Sequence, residues 1–160
     1  MTLVVRFATP ADRPALLEQS WQLNLYEDPI SQDRRIDKPG AEDTLATQLG
    51  KVERSGGVAL VAERDGAVVG HLFLSFESHP PYVRAEKRDY AYVVEFFVRA
   101  EARGSGIGRA LLDEAERIAA ARGLRQIMIG VLAGNGLAER AYLGYGFRPY
   151  ATELVKTIGE

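Results

Sequence analysis

The stretch from Tyr92 to Leu112 admits few architectures: Tyr-Val-Val-Glu-Phe-Phe-Val-Arg-Ala-Glu-Ala-Arg-Gly-Ser-Gly-Ile-Gly-Arg-Ala-Leu-Leu. A β-rich apolar run passes through a short turn into alternating glycines at 104, 106 and 108, and then into an amphipathic helix. The first amides of a helix have no intrahelical partners, and aligned peptide dipoles add partial positive charge there, so an anion can occupy the helix mouth. Glycines allow the turn and leave the amides accessible. The expected architecture is therefore a strand that delivers the chain to an anion site at a helix N-terminus.

Composition narrows the function classes. At 160 residues and 46% hydrophobic content, the chain is sized for one domain with a proper core, expected over residues 1–160. A net charge of −2 carries no clustered basic excess of the kind that binds nucleic acid. No cysteine is present, which removes disulfides, thiol catalysis and cysteine zinc sites, and two isolated histidines do not build a metal cluster, so no metal is expected. The N-terminal apolar run is too short for a signal peptide and no run approaches a membrane span; a soluble cytoplasmic protein is the default expectation.

The patterning alternates helices and strands without repeats. Leu3 to Ala8 reads as a strand and Thr9-Pro10 as a helix start. Leu17, Trp21 and Leu25 form an apolar stripe on a helix ending near Asp28, where Tyr26, Glu27 and Asp28 either bind a cationic amine or end an exposed helix. Residues 28 to 40 read as a surface loop, 41 to 54 as a helix, and Val58 to Glu77 as a hairpin turning at Asp65-Gly66. The two prolines at 80 and 81 make 78 to 89 a loop before the strand at 90 to 98. Ile107, Leu111, Leu112, Ala115 and Ile118 share one face of the helix that follows the glycines. Gln126 to Leu132 reads as a buried strand, 137 to 144 as a short helix, and Phe147 to Ile158 as a last strand region. The class is α/β of mixed type.

The glycine loop lacks the Lys-Ser/Thr pair of a nucleotide P-loop and the second βαβ unit of a dinucleotide fold. Arg103-Gly-Ser-Gly106-Ile-Gly108 instead resembles the Arg/Gln-x-x-Gly-x-Gly/Ala signature of the GNAT superfamily of N-acetyltransferases. Downstream, Asn135-x-x-Ala138-x-x-x-Tyr142-x-x-x-Gly146-Phe147 resembles the segment after that superfamily's fifth strand. The resemblance implies a central mixed, largely antiparallel sheet flanked by about four helices, with splayed fourth and fifth strands opening a cleft for acetyl-coenzyme A. It also implies that the pantetheine arm pairs with the backbone of Phe96, Phe97 and Val98 like an added strand. The diphosphate would lie on residues 103 to 109, namely Arg103, Gly104, Ser105, Gly106, Ile107, Gly108 and Arg109, with Asn135 a further contact.

Each assignment has a plainer counterpart. Phe96, Phe97 and Val98 are core-type side chains whose backbone carries the functional claim. Arg103 and Arg109 are also ordinary surface or capping residues, and Asn135 is a common helix cap. Tyr142 on a helix face is ordinarily core, but within the motif its hydroxyl would lie near the thiol sulfur as general acid. Glu95 is either the base beside the reacting carbonyl or a hydrogen-bonded structural carboxylate, since an isolated buried carboxylate is costly. His71 on a strand and His79 in the proline-rich loop are titratable near neutrality, with structural roles as their ordinary use.

The chemistry implied is direct transfer in a ternary complex. An amine with a pKa near ~10.4 must first lose a proton, at about 4 to 5 kcal/mol at neutral pH. Glu95, directly or through water, would take it; the Phe96 amide would stabilise the oxyanion and Tyr142 would protonate the thiolate. Val94 stands where the polyamine-acetylating branch carries a second acidic residue, so polyamines lose favour among the small-molecule amines expected as acceptors. The alternatives are acetylation of a protein N-terminus or lysine and a non-catalytic acyl-coenzyme A sensor, the latter separable by whether free thiol appears. A homodimer is expected from the apolar final strand together with the resemblance.

Overall fold

The computed structural model describes residues 2–160. The elements are β1 (Leu3–Phe7), α1 (Arg13–Ser31), α2 (Lys38–Ser55), β2 (Val58–Arg64), β3 (Ala67–Ser78), β4 (Asp89–Val98), α3 (Ile107–Ala121), β5 (Ile127–Ile129) and α4 (Gly136–Tyr145), with single 3-10 turns at Pro10–Asp12, Ala85–Lys87 and Ala100–Ala102. The five strands lie in sequence order, all antiparallel except the parallel β4–β5 pair. This is the mixed, largely antiparallel sheet flanked by about four helices that the resemblance implies. No helix among the described residues is long and apolar enough to cross a membrane.

Strand alternation divides the core between the two faces of the sheet. Leu60, Ala62, Leu72 and Leu74 pack with Ile107, Leu111, Leu112, Ala115 and Ala119 of α3. Val61 and Phe73 point the other way, against Leu16 of α1 and Leu45 and Val52 of α2. The expected apolar face of α3 holds, with Ala119 buried and Ile118 at its margin.

The pairing of β3 with β4 steps from Phe73↔Glu95 to Leu74↔Val93, so Val94 is an extra residue without an opposite number. Such a bulge reverses the alternation. Ala91 and Val93 face α3, whereas beyond the bulge Glu95 turns toward α1 and Phe96 and Val98 take the α3 side. The β4–β5 pairing stops at Val93↔Ile129, and from there β4 continues with an open edge. This is the expected splay.

Four expectations need correction. The buried positions of α1 are Leu16, Gln19, Ser20 and Asn24, so the stripe of Leu17, Trp21 and Leu25 is not its buried face; Leu25 is exposed. Polar residues face inward there because each has a partner: Gln19 meets His71, Ser20 meets Glu95, and Asn24 donates to Arg35 O and Thr44 Oγ1. The expected loop at 28 to 40 shrinks to residues 32–37, since α1 reaches Ser31 and α2 opens at Lys38 behind Asp37, whose carboxylate accepts from Gly40 N at 2.8 Å. The expected buried strand from Gln126 to Leu132 is three residues long and half-buried, because the chain leaves β4 at the splay.

Residues 147 to 158 form no strand. Leu154, Val155 and Ile158 are 94%, 98% and 97% exposed, and β-formers without a ladder neighbour have nothing to hold them extended in a sheet.

The N-terminal corner is closed by charge. Arg6 donates to both oxygens of Asp12 at 2.8 and 2.9 Å and, through Nε, to Glu63 at 2.8 Å. The guanidinium of Arg6, with the Thr9 amide, holds the Asp12 carboxyl down at about 2 from an ordinary 3.8. A pKa lower in the folded state stabilises the fold above the ordinary value and loses that stabilisation as pH falls toward about 2. Asp12→Asn is expected to lower unfolding free energy by about 2 kcal/mol at neutral pH and by progressively less below pH ~4, measured by urea denaturation at both pH values. A pH-independent difference would remove Asp12 as its cause.

Candidate functional site

A cleft of about 940 Å³ opens where β4 and β5 part. Its floor is β4 from Tyr92 to Val98, one wall is β5 and α4, and the opposite wall is the end of α1 with α2. Its size suits a substrate-bearing pocket. It brings together Glu95, Phe96, Phe97, Val98, Arg103, Gly104, Ile107, Gly108, Asn135 and Tyr142 from the sequence expectations, and of the three residues weighed at the end of α1 it takes in Tyr26 and Glu27.

At one end lies the helix mouth. Gly104 and Gly106 have φ of 76° and 86°, the left-handed region that side-chain-bearing residues avoid, and Gly106 is the N-cap of α3. A Cβ at either position would meet nothing within 4 Å, so these amides border open space. At Gly108 a Cβ would come within 3.2 Å of Phe96 Cζ; the missing side chain lets the first turn of α3 sit close on β4. An anion held by backbone amides fits this arrangement, and β4 beyond Val93 offers an unpaired edge leading straight to it.

Not every expected loop residue turns into the cleft. Arg103 Nε donates to Val98 O at 2.9 Å, and its guanidinium lies 5.6 Å from the ring centres of both Tyr26 and Phe97. Arg109 instead lies over Tyr145 at 5.4 Å, and Ser105 Oγ donates to Ala102 O at 2.6 Å. Ser105, Gly106 and Arg109 border the mouth without lining the cleft. Asn135 caps α4 by accepting from Ala138 N at 3.3 Å, and the Tyr26 hydroxyl reaches the same oxygen at 3.4 Å.

Tyr142 stands across from Phe96, ring centres 6.1 Å apart, and edge-on to Phe147. Burial, with the charge of Glu27 added, pushes its hydroxyl up to about 12, so it keeps its proton at neutral pH and acts as a donor. Burial likewise raises the Glu27 carboxyl, against the opposing pull of Arg34 3.5 Å away.

Glu95 is almost fully enclosed. Ser20 Oγ donates to its Oε1 at 2.8 Å, and His71 Nε2 stands 3.4 Å from that oxygen. His79 lies elsewhere, stacked on Tyr90 at 4.2 Å. Sequence reasoning missed Gln19 and Ser20 as neighbours of the site, whereas Glu27 was one of the three α1 residues for which amine binding was weighed. The signal that could have found them was present: Gln19, Ser20 and Asn24 fall where an ordinary α1 would turn apolar residues inward.

The model of the Acetyltransferase (GNAT) family matches residues 20–147. The mycothiol acetyltransferase of Amycolatopsis mediterranei (strain U-32) is 37% identical over 95 residues, which are 59% of this chain and 31% of that protein. The match thus spans less than a third of the length of the curated relatives. Among solved structures, a tetramutant of the BH1408 protein from Bacillus halodurans superposes with a TM-score of 0.83 at 19% identity, covering 97% of this chain and 99% of that one. A Clostridium acetobutylicum protein described as a predicted acetyltransferase with acetyl-CoA gives 0.72 at 20% identity, covering 98% and 97%. These likenesses show the fold. With its family match over 20–147 and this sheet, the chain belongs to the GNAT acetyltransferase family.

Proposed function

We propose that this chain is an N-acetyltransferase that moves an acetyl group from acetyl-coenzyme A to a small-molecule amine by direct transfer in a ternary complex. The observation that carries this is the continuity of one segment: the open edge of β4 from Val94 to Val98 runs into the glycine mouth of α3, with Tyr142 facing it across the cleft. Acetyl-coenzyme A, when bound, supplies the activated acyl group as a thioester.

The residues of the chain do the rest. Amides from Gly104 to Gly108 hold the diphosphate at the helix mouth, with Ser105 and Arg109 at its rim. The β4 backbone at Phe96, Phe97 and Val98 aligns the pantetheine arm, and the Phe96 amide receives the developing oxyanion. Asn135 fixes the start of α4, and so the position of Tyr142. Glu95 takes the amine's proton, directly or through water, and Tyr142 donates to the departing sulfur. Full transfer from a hydroxyl near 12 to an ordinary thiolate of ~8.5 is uphill by about 5 kcal/mol, so Tyr142 works chiefly by its hydrogen bond and hands on a proton only as it is resupplied.

A small acceptor is favoured by the charge at the α1 end of the cleft, where the half-buried Glu27 stands ready for a cationic group within a bounded volume. The test is a thiol-release screen of primary amines with acetyl-coenzyme A. Thiol release stimulated by one amine class supports the enzyme. Tight coenzyme A binding with no release from any small amine, N-terminal peptide or lysine peptide would favour the sensor reading instead. The exposed Leu154, Val155 and Ile158 support self-association, for which we propose a homodimer; light scattering should give twice the 17.6 kDa chain mass, and a monomer mass would overturn it.

A further inference from the structure

Behind Glu95 lies a set of buried side chains that the chemistry above uses only in part. His71 is fully enclosed, and its ring touches the rings of Phe73 and Phe97. The Val68 carbonyl can only accept, so Gln19 Nε2, 3.1 Å from it, must donate. That fixes the amide, whose Oε1 faces His71 Nδ1 at 2.8 Å and can only accept. Nδ1 therefore carries a hydrogen. The other ring nitrogen, Nε2, stands 3.4 Å from Glu95 Oε1 without making a hydrogen bond, and Glu95 Oε2 has no hydrogen-bond partner among the described residues.

Such a contact is informative about protons. If both groups lack one, an imidazole lone pair and a carboxylate oxygen are crowded together in a buried place where one serine hydroxyl donates to the carboxylate. That crowding favours uptake of one proton, which, shared between Nε2 and Oε1, relieves the repulsion and leaves the pair without net charge, so the resting pair is the proton-free form that accepts one. We propose that His71 and Glu95 act together as a one-proton pair, His71 being the positioning residue that makes Glu95 an acceptor for the amine's proton. This rests on the acyl-transfer reading given above.

The N–H bond of the acceptor ammonium breaks, its electron pair stays on nitrogen, and the proton passes to Glu95 and comes to rest between Oε1 and Nε2. The freed amine forms the N–C bond as the C–S bond breaks, and the electron pair of that bond goes to sulfur. The second proton of the amine ends on sulfur by way of Tyr142, and the proton held by the pair returns to water when the products leave. One ammonium and one thioester thus become one amide, one thiol and one released proton.

Gln19 and Ser20 from α1, Phe73 from β3 and Phe97 from β4 touch the pair, none of them charged, and the charge of Glu95 reaches the Glu27 carboxyl of α1 through space. His71→Asn keeps a donor for Gln19 and removes the nitrogen opposite Glu95. In this variant the acid limb of kcat/KM should move by at least about tenfold in proton concentration, with KM for acetyl-coenzyme A unchanged. An acid limb that stays in place while kcat/KM falls would reduce His71 to packing and overturn the proposal.

A second measurement is independent of turnover. Nitrogen-15 spectra of the free protein between about pH 5 and 9 should show His71 with hydrogen on Nδ1 throughout, and an Nε2 signal that changes in Glu95→Gln, with His79 as the unchanged reference. Hydrogen found on Nε2 alone, or an Nε2 signal indifferent to Glu95→Gln, would overturn the pair even if the enzyme is active. If no amine releases thiol, the reading as an enzyme fails, yet these spectra still decide whether the pair exists.

Discussion

Tyr142→Phe is expected to lower kcat about 100-fold while leaving acetyl-coenzyme A affinity within about a factor of two, the size of effect typical of a lost proton donor. The ring keeps its contacts with Phe96 and Phe147, so the cleft wall stays in place and only the hydroxyl is removed. The hydroxyl is pushed up to about 12, so it remains a donor through the physiological range. The sign follows directly: loss of the Tyr142 proton should depress kcat only as pH climbs toward about 12, and any basic limb at lower pH belongs to another group. Stopped-flow or steady-state rates with an amine found in the screen check this, and an unchanged kcat in the variant would sink the assignment.

Gly106→Val should weaken coenzyme A binding about 10- to 100-fold, because a β-branched residue resists φ of 86° by roughly 1 to 3 kcal/mol and the N-cap must rotate, taking the amides of the mouth with it. Strain alone is not the point at issue. Gly123, at the far end of α3, has φ of 81° and equally open surroundings, so Gly123→Val carries similar strain away from the cleft. Calorimetric titration with coenzyme A should separate the two variants, while their melting temperatures fall together. Equal affinities would mean that the glycine mouth does not hold the diphosphate.

Much of the cleft was readable from order alone. A strand, three alternating glycines and an amphipathic helix can hardly be arranged otherwise, and the second motif positioned Tyr142 on a helix that the structure places opposite Phe96. The hairpin at Asp65-Gly66 was equally local in origin. What escaped the sequence was whatever depends on distant partners. Gln19 and Ser20 look like surface residues of α1 until His71 and Glu95 arrive from strands some 50 to 75 positions away. The final apolar segment has every local mark of a strand, but a strand exists only where an edge receives it. His71 read as an ordinary strand histidine because its neighbours are set by pairing, not by spacing.

The bulge at Val94 gives the site an unusual kind of vulnerability. Alternation along β4 would otherwise send Val93, Glu95 and Phe97 to one side, burying the carboxylate against α3 among leucines and leaving His71 without its neighbour. One supernumerary residue turns the second half of the strand over. The orientation of Glu95 is thus fixed by how many residues precede it, and hardly at all by which residue stands at 94. A single-codon deletion there would invert the strand's chemistry while leaving every motif in the sequence legible.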